Sequence, residues 1–289
     1  MFELLENGNP LHPLICVAGA SEICSCDCDE TDFYTVMVEP GDSAPASMGR
    51  QYYDYSDGVA YFIPPGTSFR AFSCCAGAGC DWQGRALFFH RILLEGTCLE
   101  DIQDRYTFFR YRSRNEALHL SSRNMGLLQR CLDGIDWELS SCIDEYTSTL
   151  IVNRLEMMLN YCLRFYRNQF IIRHEADMQI IGKMDGIVQK HFLRSSGTCR
   201  KELPSLQATS RLLNISPAYL EDMLHHETGM TWIEYIRKKQ FDTADQELMR
   251  TDKSITQIAR ELGYPSVGYF NRIFQKLHGC TPAEYRSHC

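Results

Sequence analysis

Tyr219-Leu220, Leu224, Gly229, Thr231, Glu234 and Tyr235 recur in the same order as Tyr269-Phe270, Phe274, Gly279, Thr281, Glu284 and Tyr285, each pair 50 residues apart. An internal repeat constrains architecture before any single residue is interpreted. Two copies are too few for a solenoid; they suit a tandem module that uses one kind of surface twice. In the second copy, Ser254-Ile255-Thr256-Gln257 has capping-box spacing, in which the hydroxyl accepts a backbone N–H and Gln257 reaches back. Ile255, Ile258, Ala259 and Leu262 form an apolar stripe that Gly263 ends, since glycine takes the left-handed conformation with least strain. Tyr264-Pro265-Ser266 is predicted as a turn. A second helix from about Ser266 to Leu277 would bury Phe270, Ile273 and Phe274 and show Ser266, Val267, Asn271, Arg272, Gln275 and Lys276.

The first copy follows the same plan. Leu206, Leu212 and Leu213 lie on its entering helix, Asn214-Ile215 in its turn, and Tyr219, Leu220, Met223 and Leu224 on a buried side. Ser216 can cap the second helix with Pro217 at the first position, where a missing N–H does no harm. Trp232 to about Met249 reads as one connecting helix through Ile233, Ile236, Phe241, Ala244 and Leu248. Each copy is therefore predicted as a helix-turn-helix, and the pair as a reader of double-stranded DNA.

Residues 200–286 resemble the AraC-type (AraC/XylS) family of bacterial transcription regulators. The resemblance rests on Ile255-Thr256-Gln257-Ile258-Ala259-Arg260-Glu261-Leu262-Gly263-Tyr264, on Tyr269-Phe270-Asn271-Arg272-Ile273-Phe274-Gln275-Lys276, and on Gly279-Cys280-Thr281-Pro282-Ala283-Glu284-Tyr285-Arg286. It implies a dimeric transcription factor with a regulatory N-terminal domain. A recognition helix fits the major groove, and two readers about 34 Å apart can use successive grooves. Arg272 and Asn271 can read guanine and adenine edges. Lys276, Arg237, Lys238 and Lys239 suit phosphate contacts, which position without specifying. The first reader offers Ser216, Ala218, Glu221, Asp222 and His225. Its acidic groups repel phosphate, although a carboxylate can accept from cytosine N4. Gln240 stands where the family usually has arginine, and Gly268 where it usually has serine. The second reader is therefore expected to carry more base contacts than the first.

Upstream, residues 1–115 read as β-structure. Asp32–Val38, Val59–Ile63, Ser68–Phe72 and Arg85–His90 are short runs of strand formers separated by turns such as Glu39-Pro40-Gly41-Asp42 and Pro64-Pro65-Gly66. With Tyr61-Phe62-Ile63-Pro64-Pro65-Gly66, this half looks like the cupin-type barrel that precedes the DNA-binding part of many bacterial regulators. Phe62, Phe69, Arg70 and Phe72 are candidates to line an effector pocket, or else barrel core. His12 and His90 are its only histidines, so the histidine set of a metal-binding cupin is missing. Residues 116–177 are assigned to a helical dimerisation segment and linker. Ile143, Tyr146, Leu150, Ile151, Leu155, Met158, Leu159 and Cys162 recur at helical steps and face either the barrel or a second copy, with the homodimer placed at 139–166. Polar residues 167–177 read as a helix end and linker, and residues 178–289 as the DNA-binding domain. The fold class is thus α+β in two domains.

Composition agrees with two soluble domains: 289 residues, 44% hydrophobic and 23% charged. The net charge of −8 hides a split. From Arg200 onward 12 Lys+Arg against 11 Asp+Glu give +1, and the first 199 residues, with 17 against 26, give −9. The acidity lies outside the repeat. No apolar run suits a membrane span and the N-terminus lacks a signal-peptide pattern, so a cytoplasmic location is expected and the 14 cysteines are read as reduced. Cys24, Cys26 and Cys28, and Cys74, Cys75 and Cys80, lack paired zinc spacing, and adjacent His225 and His226 cannot share one helix face. No catalytic triad or phosphate loop stands out. A non-enzymatic regulator follows, without cofactor or metal, with a small-molecule effector at the N-terminal domain and RNA polymerase as a further candidate partner. The rival is a small-molecule-binding or enzymatic cupin-like protein whose helical module makes protein contacts.

Overall fold

The computed structural model describes residues 12–19, 32–41, 50–67, 83–142, 144–193 and 202–288. The chain divides into two compact units, Met1–His174 and Glu175–Cys289. In the first unit, strands β1 (Ile15–Gly19), β2 (Phe33–Pro40), β3 (Gly58–Ile63), β4 (Arg85–His90) and β5 (Leu118–Leu120) form one antiparallel sheet in the order β1-β4-β2-β3-β5. The sheet is open, with β1 and β5 at its edges, so the described residues do not form the expected closed barrel. Tyr34 to Glu39 and all of β3 are buried. That burial on both faces explains why these strands read as continuous apolar runs without alternation. Ser68–Phe72 lies outside the described residues.

The chain does not turn helical at residue 115 as expected. Short helical turns occupy 91–94, 102–105, 107–110 and 114–116, and β5 follows them. The turn at 107–110 carries Phe108 and Phe109 into the core. Phe62 meets Phe108 at 4.2 Å between ring centroids and Phe109 at 5.6 Å. Aromatic rings bury large areas and prefer such tilted contacts. Helix α1 (Ser122–Ser140), capped by Ser121, packs on β1, β2 and β5.

The stripe from Leu139 to Tyr166 does not form one helix. The chain breaks after α1 and restarts as α2 (Thr147–Leu193), 47 residues long. The break has a local cause. The Asp144 carboxylate accepts from the N–H groups of Tyr146 (2.9 Å) and Thr147 (3.0 Å) and from the Thr147 hydroxyl (3.0 Å). These bonds hold its carboxyl below the ordinary range and compete with helix continuation. Ile151, Leu155, Met158, Leu159 and Cys162 are buried in the unit's own core, while Tyr146 and Leu150 are exposed; Ile143 lies outside the described residues.

The expected helix end and linker at 167–177 is instead continuous helix. Arg167, Asn168, His174 and Glu175 are exposed there, whereas Gln169 and Arg173 are buried tethers, joined by Tyr166. Tyr166 donates to the Glu116 carbonyl at 3.0 Å. Gln169 accepts from the His119 N–H at 2.8 Å and donates to the Ala117 carbonyl at 3.0 Å, occupying the backbone of edge strand β5. Covering an exposed edge in this way removes a template for unwanted strand pairing. Arg173 holds Asp54 in a bidentate pair at 2.9 and 2.7 Å and also donates to the Asn115 carbonyl at 3.2 Å. Positions 166, 169 and 173 share a helix face, so one stripe of α2 supplies all these contacts.

His119 is buried beside this pair, its Nε2 3.9 Å from Asp54. Burial lowers its pKa to about 4, with Arg173 and Arg50 acting in the same sense and Asp54 opposing. The unfolded chain holds this proton below about pH 6.5, and the folded chain takes it up only near pH 4. Between these values the unfolded state binds more protons, so stability falls as pH falls through that window. Urea unfolding at pH 7 and pH 5 should show wild type losing about 2 kcal/mol more than His119→Gln over that step. Parallel pH dependence in the two proteins would contradict a neutral His119.

Candidate nucleic-acid interface

The second unit contains α3 (Leu206–Leu213), α4 (Pro217–Thr228), α5 (Trp232–Arg250), α6 (Ile255–Glu261), α7 (Val267–His278) and α8 (Pro282–His288). The pairs α3/α4 and α6/α7 are the two helix-turn-helix copies, and four serines cap them. Ser205 accepts from Ala208 N–H at 3.3 Å, Ser216 from Tyr219 at 3.2 Å, Ser254 from Gln257 at 3.1 Å and Ser266 from Tyr269 at 3.1 Å. Gln257 does not reach back to complete a capping box. Its amide donates to Glu261 one turn on, at 2.8 Å. Complete boxes form at Thr231/Glu234 and Thr281/Glu284, where each glutamate accepts from both the N–H and the hydroxyl of its threonine. Those bonds hold the Glu234 carboxyl below its ordinary range.

The turns show how the repeat departs from strict register. Asn214 (φ 56°) and Gly263 (φ 83°) both take the left-handed conformation after the entering helix. Each is followed by the same closure: Ile215 N–H donates to the Ser210 carbonyl at 3.1 Å, and Tyr264 N–H to the Ala259 carbonyl at 2.9 Å. Ser216 then caps α4 directly, whereas Pro265 intervenes before Ser266. The entering-helix caps are therefore 49 residues apart and the second-helix caps 50.

Helix α5 ties the copies together. At 19 residues it is about 28 Å long. Trp232 Nε1 donates to the Pro204 carbonyl at 3.2 Å, anchoring the approach to α3. Gln240, the position that departs from the family's arginine, is buried and donates to the Leu262 carbonyl at 2.7 Å, bracing the end of α6. Lys253 bridges Glu247 and Glu261 at 2.8 Å each, and Arg286 Nε reaches the Leu248 carbonyl at 3.1 Å. Beneath α7, Phe270 and Phe274 are fully buried, with Tyr264, Phe241 and Tyr285 rings around them. Ile273 is half-buried and Ile233 exposed, against expectation, because each lies at the margin of its helix's buried face.

On α7, Arg272, Gln275, Lys276 and the cap Ser266 are exposed, and Val267 is half-buried. Asn271 is half-buried, its Oδ1 shielded and without a hydrogen-bond partner among the described residues. Two residues on the exposed face escape a repeat-based reading, Gly268 and Tyr269. Tyr269 is 41% exposed although its counterpart Tyr219 is 3% exposed. On α4, His225 is exposed, Ala218, Glu221 and Asp222 are half-buried, and Ser216 is buried with its hydroxyl committed to the cap. Arg237 and Lys238 stand exposed on α5. Lys239 is instead paired with Asp185 at 2.9 Å, and Asp185 also accepts the Tyr235 hydroxyl.

The upstream candidates fare differently. Phe62 is packed into the aromatic core. Phe69, Arg70, Phe72 and the two cysteine groups lie outside the described residues. Among the described residues, no three or more His, Cys, Asp or Glu are placed to hold a metal ion, and no helix is long and apolar enough to cross a membrane.

Because Gln240 satisfies a buried carbonyl, Gln240→Leu should destabilise the second unit by about 1–3 kcal/mol. Denaturant unfolding of the full chain measures this, and an unchanged midpoint would rule out the brace.

A family model described as a helix-turn-helix domain matches residues 209–288. The regulatory protein SoxS of Salmonella typhimurium is 34% identical over 82 residues, 28% of this chain and 77% of that protein. The transcriptional activator RhaR of Mannheimia succiniciproducens is 39% identical over 61 residues, 21% of this chain and 22% of its own length. The uncharacterized regulator YtdP of Bacillus subtilis is 31% identical over 126 residues, 42% of this chain, and the chain spans 16% of its length. Among solved structures, the C-terminal domain of the response regulator AraT of Geobacillus stearothermophilus is 32% identical, with 38% of this chain and 85% of that chain covered and a TM-score of 0.30. With the paired helix-turn-helix copies, the shared signature and the coverage of SoxS, the chain belongs to the AraC-type (AraC/XylS) family of transcription regulators.

Proposed function

We propose that this chain is a sequence-specific DNA-binding transcription regulator in which α7 makes most of the base contacts. The carrying observation is the contrast between the two readers. The exposed face of α7 holds Arg272, Gln275 and Lys276 with no carboxylate, whereas α4 presents Glu221, Asp222 and His225. Arg272 is assigned to a guanine edge, Lys276, Arg237 and Lys238 to phosphates, and Asn271, Val267 and Ser266 to the margin of the reader. Ser216 and Ala218 border the weaker reader, and Lys239 serves α5 through Asp185. The first unit acts as a cupin-like sensory domain for a small-molecule effector, an unequal affinity for two states being what shifts such an equilibrium. The protein works in the cytoplasm with RNA polymerase as a partner, and not as an enzyme.

The homodimer is assigned to 139–166. Most of the apolar stripe there is spent on the unit's own core, which leaves Tyr146, Leu150 and Met157 as the exposed support for a partner helix. Leu150→Glu combined with Met157→Glu should convert a dimer to a monomer in sedimentation velocity. A wild-type monomer across the micromolar range would exclude this surface as the dimer interface.

The decisive experiment selects a duplex from random DNA and titrates it at fixed salt. Arg272→Ala should cost about 1–3 kcal/mol and relax specificity at one base position. His225→Ala should cost less and leave the base profile intact. Lys276→Ala should weaken all sequences alike and reduce the salt slope by about one. Equal losses for Arg272→Ala and His225→Ala at every position would refute the asymmetry, and salt-insensitive binding would refute the DNA reading itself.

A further inference from the structure

A cavity of about 1050 Å³ opens within the second unit, between α5 and α7 and beside the turn that joins α6 to α7. This is at the upper end of ligand clefts, roughly 300–1,000 Å³. Tyr264 and Gln240 at its base are buried, and Phe241 is half-buried. Tyr269, Ile273 and Leu277 line it from α7, and Leu203 from the segment before α3. Three of these apolar side chains are far from burial: Leu203 at 40%, Tyr269 at 41% and Leu277 at 61%. Exposed apolar side chains gathered around one concavity and rimmed by polar groups mark a binding site more than a solvated face.

The polar rim has a definite sign. Arg237 and Lys238 line the cavity from α5, both exposed and without an ion-pair partner among the described residues. Among the described lining residues Glu202 is the one carboxylate, so these residues carry one net positive charge. Clefts of this kind are mostly apolar with a few convergent polar groups that orient the ligand. We infer that this cavity is a binding site for an organic anion with an aromatic or aliphatic body, its acid group on Arg237 and Lys238 and its body against Phe241, Ile273 and Leu277.

Arg237 and Lys238 of this lining are also the phosphate-contact candidates, and Tyr269 lies one turn before Arg272 on α7. Occupancy by the anion and phosphate contact at Arg237 and Lys238 exclude one another, so the ligand acts as a direct competitor at the reader. This regulatory step rests on the DNA-binding reading above, but the ligand site does not.

The probe is 8-anilinonaphthalene-1-sulfonate, an aromatic anion, titrated into the full chain by fluorescence. Saturable one-to-one binding is expected, weakened about tenfold or more by Arg237→Ala combined with Lys238→Ala. Leu277→Glu, at an exposed position, should weaken it comparably while thermal unfolding stays unchanged. The uncharged N-phenyl-1-naphthylamine should bind more weakly and ignore the Arg237 and Lys238 changes. Absent binding, or binding untouched by both variants, overturns the site, and equal affinity for the uncharged probe overturns its preference for anions. A selected duplex should displace the probe from wild type. A duplex that binds beside a retained probe overturns the competition, whereas failure of any duplex to bind counts against the DNA reading and leaves the titration to decide the site.

Discussion

Each helix-turn-helix copy depends on one residue held at positive φ. Asn214 and Gly263 turn the chain left-handed, and the next N–H closes back onto a carbonyl five residues earlier. This closure ends the entering helix and sets where the second helix starts, so the direction of α4 and α7 follows from it. Few residues tolerate the conformation, and glycine and asparagine are those with the least steric cost. The four serine caps and the threonine–glutamate boxes define the remaining helix ends in the same local way.

The copies share this skeleton and diverge where tertiary contacts enter. Gln240 braces only the second copy through Leu262, and Trp232 anchors only the first through Pro204. Pro265 lengthens the second turn by one residue. Tyr219 is buried whereas Tyr269 is exposed beside the cavity, so positions aligned by the repeat perform different work. Lys239 is likewise distinguished from its neighbours Arg237 and Lys238 by Asp185, a residue 54 positions away.

In the first unit the burden falls on polar residues of α2. Gln169 and Arg173 satisfy the backbone of β5 and the carboxylate of Asp54, groups that are costly to bury unpaired. In sequence they sit in a polar stretch that resembles a linker. In space they are among the most buried polar side chains of the unit. The aromatic cluster of Phe62, Phe108, Phe109 and Tyr166 draws on segments far apart in the chain. That distance explains why the sequence leaves Phe62 open between pocket lining and core until its partners are known.

What the sequence alone determined is local and periodic. The repeat, the caps at Ser216 and Ser254, Gly263, the buried faces of α4 and α7 and the family signature all rest on hydrogen bonds and side-chain spacing within one or two helical turns. The exposed basic residues of α7 were legible for the same reason. Tertiary structure decided the rest: the unbroken α2, the open sheet, the buried His119, the brace at Gln240 and the cavity between α5 and α7. Each depends on groups distant in the chain, or on a competition between local and long-range bonds. Periodicity carries no information about either.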